Sequence, residues 1–378
     1  MRRLGTRRHG FALDRRGDQG PVRKTATVLS DARELIYFDE DSRPPRIARD
    51  LRGLAPIETS SEIRFDRLLE SWVTIASHRQ DRTYLPADDA CPFCPSRNDL
   101  LTEVPESDYD VVVFENRFPA YFGTMPAPSS HPGDLYVSRG GVGRCEVICF
   151  TPQHDASFAD LSPAHARLVL EAWVDRTVAL MARPEIAHVY CFENRGREIG
   201  VTESHPHGQI YGYPFTTPRT SRMLSALSRY KEQSGSNLFD DILEQERSNA
   251  SRIVAAGKHW SAFVPHAARW PFEVHLYPHR RVPELPELSD DERAEFCEIY
   301  LDILRRFDAL FGAPIPYISG WHQAPKGADD GFALHLELFT TRRAADKLKF
   351  LAGSESGMDA FISDVEPEAA AARLRGAL

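Results

Sequence analysis

An internal repeat constrains the fold of this chain more than any other feature of its sequence. Two apolar segments around Glu146 and Glu273 have similar patterns, and each precedes a helical segment that begins at Ser162 or Ser289. The two glutamates are 127 residues apart, and so are the two serines. A fixed offset of this size is typical of an internal duplication.

The local patterns predict an α+β fold with antiparallel sheets and a few long helices. Ser162 and Ser289 are good helix N-caps, and apolar residues recur at helical spacing after both. Eight strands are predicted at residues 72–76, 111–114, 146–150, 187–192, 208–213, 261–265, 273–277 and 333–339. Residues 221–246 are predicted to be helical with an interruption near Gly235, and no flexible linker is evident. We therefore expect two halves that share one sheet or a tight interface.

The composition limits the classes of partner. At 378 residues the chain exceeds the usual size of one domain, and we assign its two halves to residues 25–220 and 221–378. Lys and Arg total 46 against 55 acidic residues, and the net charge of −9 argues against nucleic acid as the main partner. No apolar run reaches the ~20 residues that a bilayer-spanning helix needs, so we expect no membrane partner.

The N-terminus and the cysteines indicate a cytoplasmic protein. Residues 1–24 are rich in arginine and glycine and lack the apolar segment of a secretory signal. We interpret them as a disordered extension, or as the product of a start codon assigned too far upstream. Without an export signal, the six cysteines are expected to be reduced thiols.

The segment His205-Pro-His-Gly-Gln209 is the strongest candidate for a catalytic site. Alternate residues of an extended chain share one face, so His205, His207 and Gln209 are predicted to point into one site. Glycines at 196, 200 and 208 would let backbone amides approach a phosphate closely. A surface turn with two chance histidines is the alternative. The alternation continues into an apolar strand, which favours the functional interpretation.

The pair Cys91 and Cys94 has the spacing of a zinc-ligand turn. A redox pair or two packed thiols are the alternatives, although no thioredoxin-like βαβ pattern surrounds the pair. His154 and His205 are candidate partners, and four such ligands would complete a tetrahedral structural zinc site. That site would hold His205 and thereby fix the strand that carries His207.

Six motifs resemble the galactose-1-phosphate uridylyltransferase family, a duplicated member of the histidine-triad superfamily. They occur in family order, and the resemblance covers nearly the whole chain from about Thr25. The motifs are Cys91-Pro-Phe-Cys, Phe114-Glu-Asn-Arg-Phe-Pro-Ala, Val147-Ile-Cys-Phe-Thr-Pro-Gln-His, His205-Pro-His-Gly-Gln-Ile, Trp270-Pro-Phe-Glu and Gly320-Trp-His-Gln-Ala-Pro. The resemblance implies two fused histidine-triad-like halves, the second a degenerate copy, and a homodimer.

The resemblance also implies a ping-pong reaction. His207 would attack the α-phosphorus of UDP-glucose, and the uridylyl-histidine would then react with galactose 1-phosphate. Gln209 would donate a hydrogen bond to a phosphoryl oxygen. Histidine-triad hydrolases have a histidine at this position, so a glutamine favours transfer over hydrolysis.

Substrate-binding residues follow from the resemblance one by one. Taken without the resemblance, the arginines at 79 and 82 would more often be solvated surface residues. Residues 349–355 resemble a sugar-binding segment that the family contributes across a dimer interface, although Phe361 departs from the glutamine often found there. The implied substrate-binding residues are Arg79, Arg82, Asn116, Asn194, Gly200, Thr202, Lys349, Phe350 and Glu355.

A second metal site departs from the family pattern. The family often holds iron or zinc with three histidines and a glutamate. His322 and His335 match this set, but Glu337 stands at the third histidine, and no carboxylate lies near Met223 where the glutamate is expected. The three matching positions could bind a metal as a facial set, or they could pack without one.

Two other functions remain open at the level of sequence. A related nucleoside-diphosphate-sugar phosphorylase that acts on adenylyl sugars would have the same nucleophile. A non-catalytic, zinc-stabilised nucleotide-binding module would bind UDP-sugars without forming a covalent adduct.

Overall fold

The computed structural model describes residues 22–40, 42–57, 61–81, 87–97, 100–123, 133, 135–328 and 331–378. The strands are β1 (Arg23–Val28), β2 (Glu34–Asp39), β3 (Glu62–Asp66), β4 (Ser71–Ile75), β5 (Val111–Glu115), β6 (Val137–Gly140), β7 (Arg144–Cys149), β8 (His188–Arg195), β9 (His207–Tyr213), β10 (Ile253–Ala256), β11 (Trp260–Phe263), β12 (Val274–Pro278), β13 (Tyr317–His322), β14 (His335–Phe339), β15 (Arg342–Ala344) and β16 (Lys347–Leu348). The helices are α1 (Pro163–Met181), α2 (Pro218–Ser234), α3 (Leu238–Asn249), α4 (Asp290–Ala309), α5 (Gly353–Met358) and α6 (Pro367–Arg375).

The predicted α+β class with antiparallel sheets and long helices is confirmed. All eight predicted strands are present with shifted ends, and both serine N-caps accept a hydrogen bond from the first helical turn. Gly235 ends α2 with a φ of 75°, in the left-handed region that favours glycine, at the predicted interruption. No helix in the described part of the chain is long and apolar enough to cross a membrane.

Eleven strands form one antiparallel sheet in the order β1-β2-β5-β7-β9-β8-β13-β14-β12-β11-β10. Apart from β1, the order is the same when read outwards in either direction from the β8–β13 pair. Strands β8, β9, β7, β5 and β2 lie on one side, and β13, β14, β12, β11 and β10 lie on the other. The described chain therefore contains two similar half-sheets joined edge to edge.

The register of the strands defines equivalent positions in the two half-sheets. Val147 lies opposite Gln209 in β7 and β9, and His275 lies opposite Glu337 in β12 and β14. Both members of the second pair follow their counterparts by 128 residues. By the same offset, His335 is the counterpart of His207.

The strand register corrects the sequence alignment of Glu146 with Glu273. Because the strands are offset by 128 residues and the helix starts by 127, the counterpart of Glu146 is Val274. Glu146 is buried against α1, where it accepts two hydrogen bonds from Arg176. Glu273 instead accepts a hydrogen bond from His275. His275 pairs with Glu337 on the face of the sheet opposite to Glu146.

The core lies mainly on the helical face of the sheet. Helices α1 and α4 pack against each other and cover both half-sheets there, with Trp173, Trp260, Trp321 and Phe296 fully buried. On the other face, α2 and α3 cover only the C-terminal half-sheet. The corresponding face of the N-terminal half-sheet carries His207.

The N-terminal boundary differs slightly from the sequence prediction. Arg23 and Lys24 were assigned to the extension, but they belong to β1 and pair with Asp39 and Phe38. Lys24 Nζ also lies 2.7 Å from a carboxylate oxygen of Asp175 in α1. Residues 1–21 lie outside the described residues.

Candidate active site and metal centre

His207 begins β9 and lines two cavities. Its Nδ1 atom is 2.8 Å from the backbone oxygen of His205. Because a carbonyl oxygen only accepts hydrogen bonds, Nδ1 carries the proton and Nε2 keeps its lone pair. Burial lowers the pKa of His207 below its ordinary value, which favours the neutral form. The imidazole is therefore held in a tautomer that can act as a nucleophile.

A short chain of hydrogen bonds orients the amide of Gln209. The Tyr211 hydroxyl donates to Gln209 Oε1 at 3.0 Å, and Arg79 Nη1 lies 3.3 Å from the same hydroxyl. Because the amide oxygen of Gln209 accepts this bond, its NH₂ group remains available to donate to an anion beside His207. The side chains of His207, Gln209 and Tyr211 alternate along β9 and share one face.

The two cavities next to His207 are lined by four of the nine predicted substrate-binding residues. A cavity of about 160 Å³ is lined by Arg79, Asn116, Thr202 and Gln209. A second cavity of about 380 Å³, which His207 also lines, is bordered by Asn194 and the loop that follows it.

Glycine is required at positions 200 and 208 for different reasons. Gly200 has a φ of 84° and ends a turn at Arg197–Ile199, two residues before Thr202. Packing alone requires a glycine at position 208. A β-carbon there would lie 2.8 Å from the backbone oxygen of Phe192 and 2.9 Å from the Phe150 ring.

The three residues of the predicted sugar-binding segment lie away from both cavities. Arg82 lies outside the described residues. Lys349 is buried, with Nζ 3.0 Å from Glu355 Oε1 and in contact with the backbone oxygen of Ile362. Phe350 is 73% exposed. Lys349, Phe350 and Glu355 line neither of the two cavities.

The four predicted zinc ligands come together beside His207. The ligand atoms of Cys91, Cys94, His154 and His205 all lie within 4.8 Å of one another. Cys94 Sγ is 3.4 Å from His154 Nδ1 and 3.5 Å from His205 Nδ1. A tetrahedral zinc ion with ordinary bond lengths would separate a sulfur and a nitrogen ligand by about 3.5 Å. The spacing of these residues fits zinc.

The outer nitrogens of the two histidines support the same assignment. His205 Nε2 donates to the backbone oxygen of Thr151 at 2.9 Å, so its Nδ1 lone pair faces the thiols. His154 Nε2 is 3.1 Å from the Ser204 hydroxyl. Such outer hydrogen bonds are typical of metal-ligating histidines. The alternation predicted from sequence stops short of His205, because β9 begins at His207 and the His205 ring faces Cys94.

The second predicted metal group is also assembled, but a cation already contacts its carboxylate. His322, His335 and Glu337 have ligand atoms within 4.8 Å of one another, a spacing compatible with a metal. Glu273, His275 and Glu337 form another such group. However, Arg219 Nη2 lies 2.5 Å from Glu337 Oε2. An arginine at this distance competes with a metal ion for the carboxylate.

Sequence reasoning missed three residues of the site. Tyr211 continues the alternation of His207 and Gln209, so the period of two could have identified it. Phe93 lies between the two zinc-ligand cysteines, and its ring packs edge-on against His207 at 5.0 Å. Glu203 lines both cavities, and burial raises its pKa to about 7. Nothing in the sequence separates Glu203 from a surface glutamate.

Comparison with known proteins gives consistent matches along the chain. The models for the N-terminal and C-terminal domains of galactose-1-phosphate uridyl transferase match residues 53–217 and 224–378. Galactose-1-phosphate uridylyltransferase from Streptomyces lividans is 48% identical over 366 residues, which cover 94% of this chain and 98% of the relative. The protein of the same name from Thermotoga maritima is 35% identical, covering 83% and 98%.

Solved structures agree with the architecture. A uridylyltransferase structure is 34% identical with a TM-score of 0.75, and the match covers 84% of this chain and 98% of that chain. An ADP-glucose phosphorylase from Arabidopsis thaliana with bound ADP-glucose is 24% identical with a TM-score of 0.62, covering 84% and 99%. The second likeness shows the fold alone.

Fold, site and relatives together define the class of this protein, which is a nucleotidyltransferase. Matches to both domain models and to a relative over 94% of the chain identify the particular group. The chain belongs to the galactose-1-phosphate uridylyltransferase family.

Proposed function

We propose that this protein transfers a uridylyl group from UDP-glucose to galactose 1-phosphate through a covalent intermediate on His207. The products are glucose 1-phosphate and UDP-galactose, which places the enzyme in galactose metabolism. The observation that carries the proposal is the hydrogen bond from His207 Nδ1 to the backbone oxygen of His205. It leaves Nε2 unprotonated beside a cavity that is lined by two arginines and two amide side chains.

Each half-reaction exchanges one bond to phosphorus. His207 Nε2 attacks the α-phosphorus of UDP-glucose, the bond to the bridging oxygen breaks, and glucose 1-phosphate leaves. A phosphate oxygen of galactose 1-phosphate then attacks the same phosphorus, and the phosphorus–nitrogen bond breaks. Glucose 1-phosphate leaves the first step as a stable anion, and His207 leaves the second as a neutral imidazole that keeps its Nδ1 proton. Neither step therefore needs an added proton donor.

Charged and amide side chains would stabilise the transferring group. The amide NH₂ of Gln209 donates to a non-bridging oxygen as negative charge develops there. Arg79, which contacts the same tyrosine as Gln209, offsets the charge of the diphosphate. Asn116 and Thr202 would bind the nucleotide in the smaller cavity. Asn194 and Gly200 would shape the loop at the larger cavity. Arg82 is proposed to join Arg79 at the diphosphate.

Intact-protein mass spectrometry tests the intermediate directly. After incubation with UDP-glucose alone, the wild-type protein should gain the mass of one uridylyl group, and His207→Gly should gain none. His266→Gly, which alters an exposed histidine in the other half, should react like wild type. An adduct on His207→Gly would disprove the nucleophile. An adduct with ADP-glucose but not with UDP-glucose would reassign the protein as an adenylyl-sugar enzyme.

We also propose that Cys91, Cys94, His154 and His205 hold a structural zinc ion. The ion would fix His205, whose backbone oxygen orients His207, so it would act on the nucleophile through the chain rather than through substrate. Metal analysis should find one zinc per chain that Cys91→Ser removes. Cys297→Ser, at an equally buried thiol in α4, should retain the metal. Equal zinc in both variants would disprove the assignment.

The remaining proposals concern organisation and location. Residues 25–220 would form the catalytic half and residues 221–378 a degenerate repeat, as the 128-residue offset between the half-sheets supports.

A homodimer would bring Lys349, Phe350 and Glu355 of one chain to the part of the partner's active site that binds the sugar. The exposed Phe350 supports this. Light scattering after size exclusion, comparing Phe350→Ser with wild type, tests it. Six unpaired cysteines agree with a cytoplasmic location.

A further inference from the structure

The C-terminal counterpart of the nucleophile site is a buried ionic cluster. Three imidazoles face the carboxylate of Glu337. His322 Nε2 lies 3.3 Å from Oε2, while His335 Nε2 and His275 Nε2 lie 3.6 Å and 3.7 Å from Oε1. All of these side chains are buried or nearly so, and a buried carboxylate needs a positive partner.

Arg219 is the permanent cation that contacts this cluster. Its Nη2 atom lies 2.5 Å from Glu337 Oε2, the same oxygen that faces His322. Arg219 belongs to the first turn of α2, and Met223 lies four residues further along the same helix face. From α2, therefore, the chain presents a positive charge to the cluster.

The second carboxylate of the cluster is already satisfied. Glu273 Oε2 accepts hydrogen bonds from the backbone nitrogens of Arg269 and Trp270, at 2.7 Å and 3.1 Å. Glu273 Oε1 is 2.9 Å from His275 Nε2. A metal ion would have to displace these contacts or share Glu337 with a guanidinium of like charge, and both alternatives are costly in a buried site.

We propose that Arg219 supplies the positive charge that a second metal ion would supply, so that the cluster of His322, His335 and Glu337 binds no metal. The Arg219–Glu337 ion pair joins the start of α2 to β14. Because α2 begins five residues after β9 ends, this ion pair also fastens the strand of His207 to the C-terminal half-sheet.

Metal content separates the two possibilities. The full-length protein, produced with both zinc and iron in the medium and desalted, is compared with Glu337→Gln by inductively coupled plasma mass spectrometry. The isosteric change removes the carboxylate charge but leaves the four proposed zinc ligands intact. We expect the same metal content per chain in both proteins. A loss of about one metal ion per chain in Glu337→Gln would overturn the proposal.

Removal of the arginine tests its role independently of the wild-type metal content. Arg219→Met should lower the Tm by several degrees because a buried carboxylate loses its cation. Added zinc should restore part of this loss by occupying the vacated position. Arg222→Met is the matched control, since Arg222 lies on the same helix and pairs with Asp359 on the exposed surface. An unchanged Tm for Arg219→Met would overturn the proposal.

Discussion

Two backbone carbonyl groups determine which nitrogen of each neighbouring histidine is available. The backbone oxygen of His205 accepts a hydrogen bond from Nδ1 of His207, and the backbone oxygen of Thr151 accepts one from Nε2 of His205. One ring therefore has an unprotonated Nε2 at the cavity, and the other has an unprotonated Nδ1 that faces Cys94. The order of residues in the sequence predicts both side chains as functional. It does not predict the tautomers, because the accepting oxygens depend on the folded loop.

At the same scale, Tyr211→Phe should reduce turnover without removing the nucleophile. The hydroxyl orients Gln209 and contacts Arg79, so its loss leaves the amide free to rotate. We expect kcat to fall about tenfold, less than the loss of a whole anion-stabilising donor, with a smaller change in KM. Tyr213→Phe, on the same face of β9, is the matched control. Similar kinetics for the two variants would contradict this role.

Among the elements, helices were easier to predict than strands. A helix has its own start signal, and Ser289 forms a capping box in which it accepts from the backbone of Glu292 while the Glu292 side chain accepts from its nitrogen. Eight strands of the described chain were missed, namely β1, β2, β3, β6, β10, β13, β15 and β16. The central strand β13 shows one cause, because part of its pairing is with a distant segment. The segment Tyr317–His322 includes Gly320, which weakens its strand signal. Its partner β8 is more than a hundred residues away.

The capping box gives a prediction about α4. Ser289→Ala should lower the free energy of unfolding by about 1 kcal/mol, because the backbone nitrogen of Glu292 loses its acceptor. Urea unfolding followed by circular dichroism measures this. Ser228→Ala, at an exposed position inside α2, should be neutral or slightly stabilising because alanine is the better helix former. Equal losses in the two variants would argue against a capping role.

For the molecule as a whole, the junction between β8 and β13 is the feature that sequence reasoning left undetermined. The absence of a linker predicts either a shared sheet or a tight interface, and the strand pairing shows a shared sheet. Glu193 lies at this junction opposite Ser319, with one buried carboxylate oxygen that has no hydrogen-bond partner. Burial raises the pKa of Glu193 to about 7 despite nearby Tyr317 and Arg195, and Asp308 adds to the rise.

This buried carboxyl group predicts a pH-dependent stability. Because the folded-state pKa of Glu193 exceeds its ordinary value of 4.5, its contribution is fully present below pH 4.5 and is lost as the pH rises through 7. Between pH 4.5 and 8 the wild type should lose up to about 3 kcal/mol of unfolding free energy relative to Glu193→Gln, because glutamine does not titrate. Denaturant titrations at both pH values measure it. A pH-independent difference would contradict the prediction.

The continuous sheet also determines how the chain would respond to a break in its backbone. A cut at the Gly235 turn would separate β1–β9 from β10–β16. Each fragment would then carry a central strand, β8 or β13, with an unsatisfied hydrogen-bonding edge, which is a template for aggregation. The best complement of each edge is the other fragment. A nicked molecule should therefore persist as a non-covalent pair, whereas either fragment produced alone would associate with copies of itself.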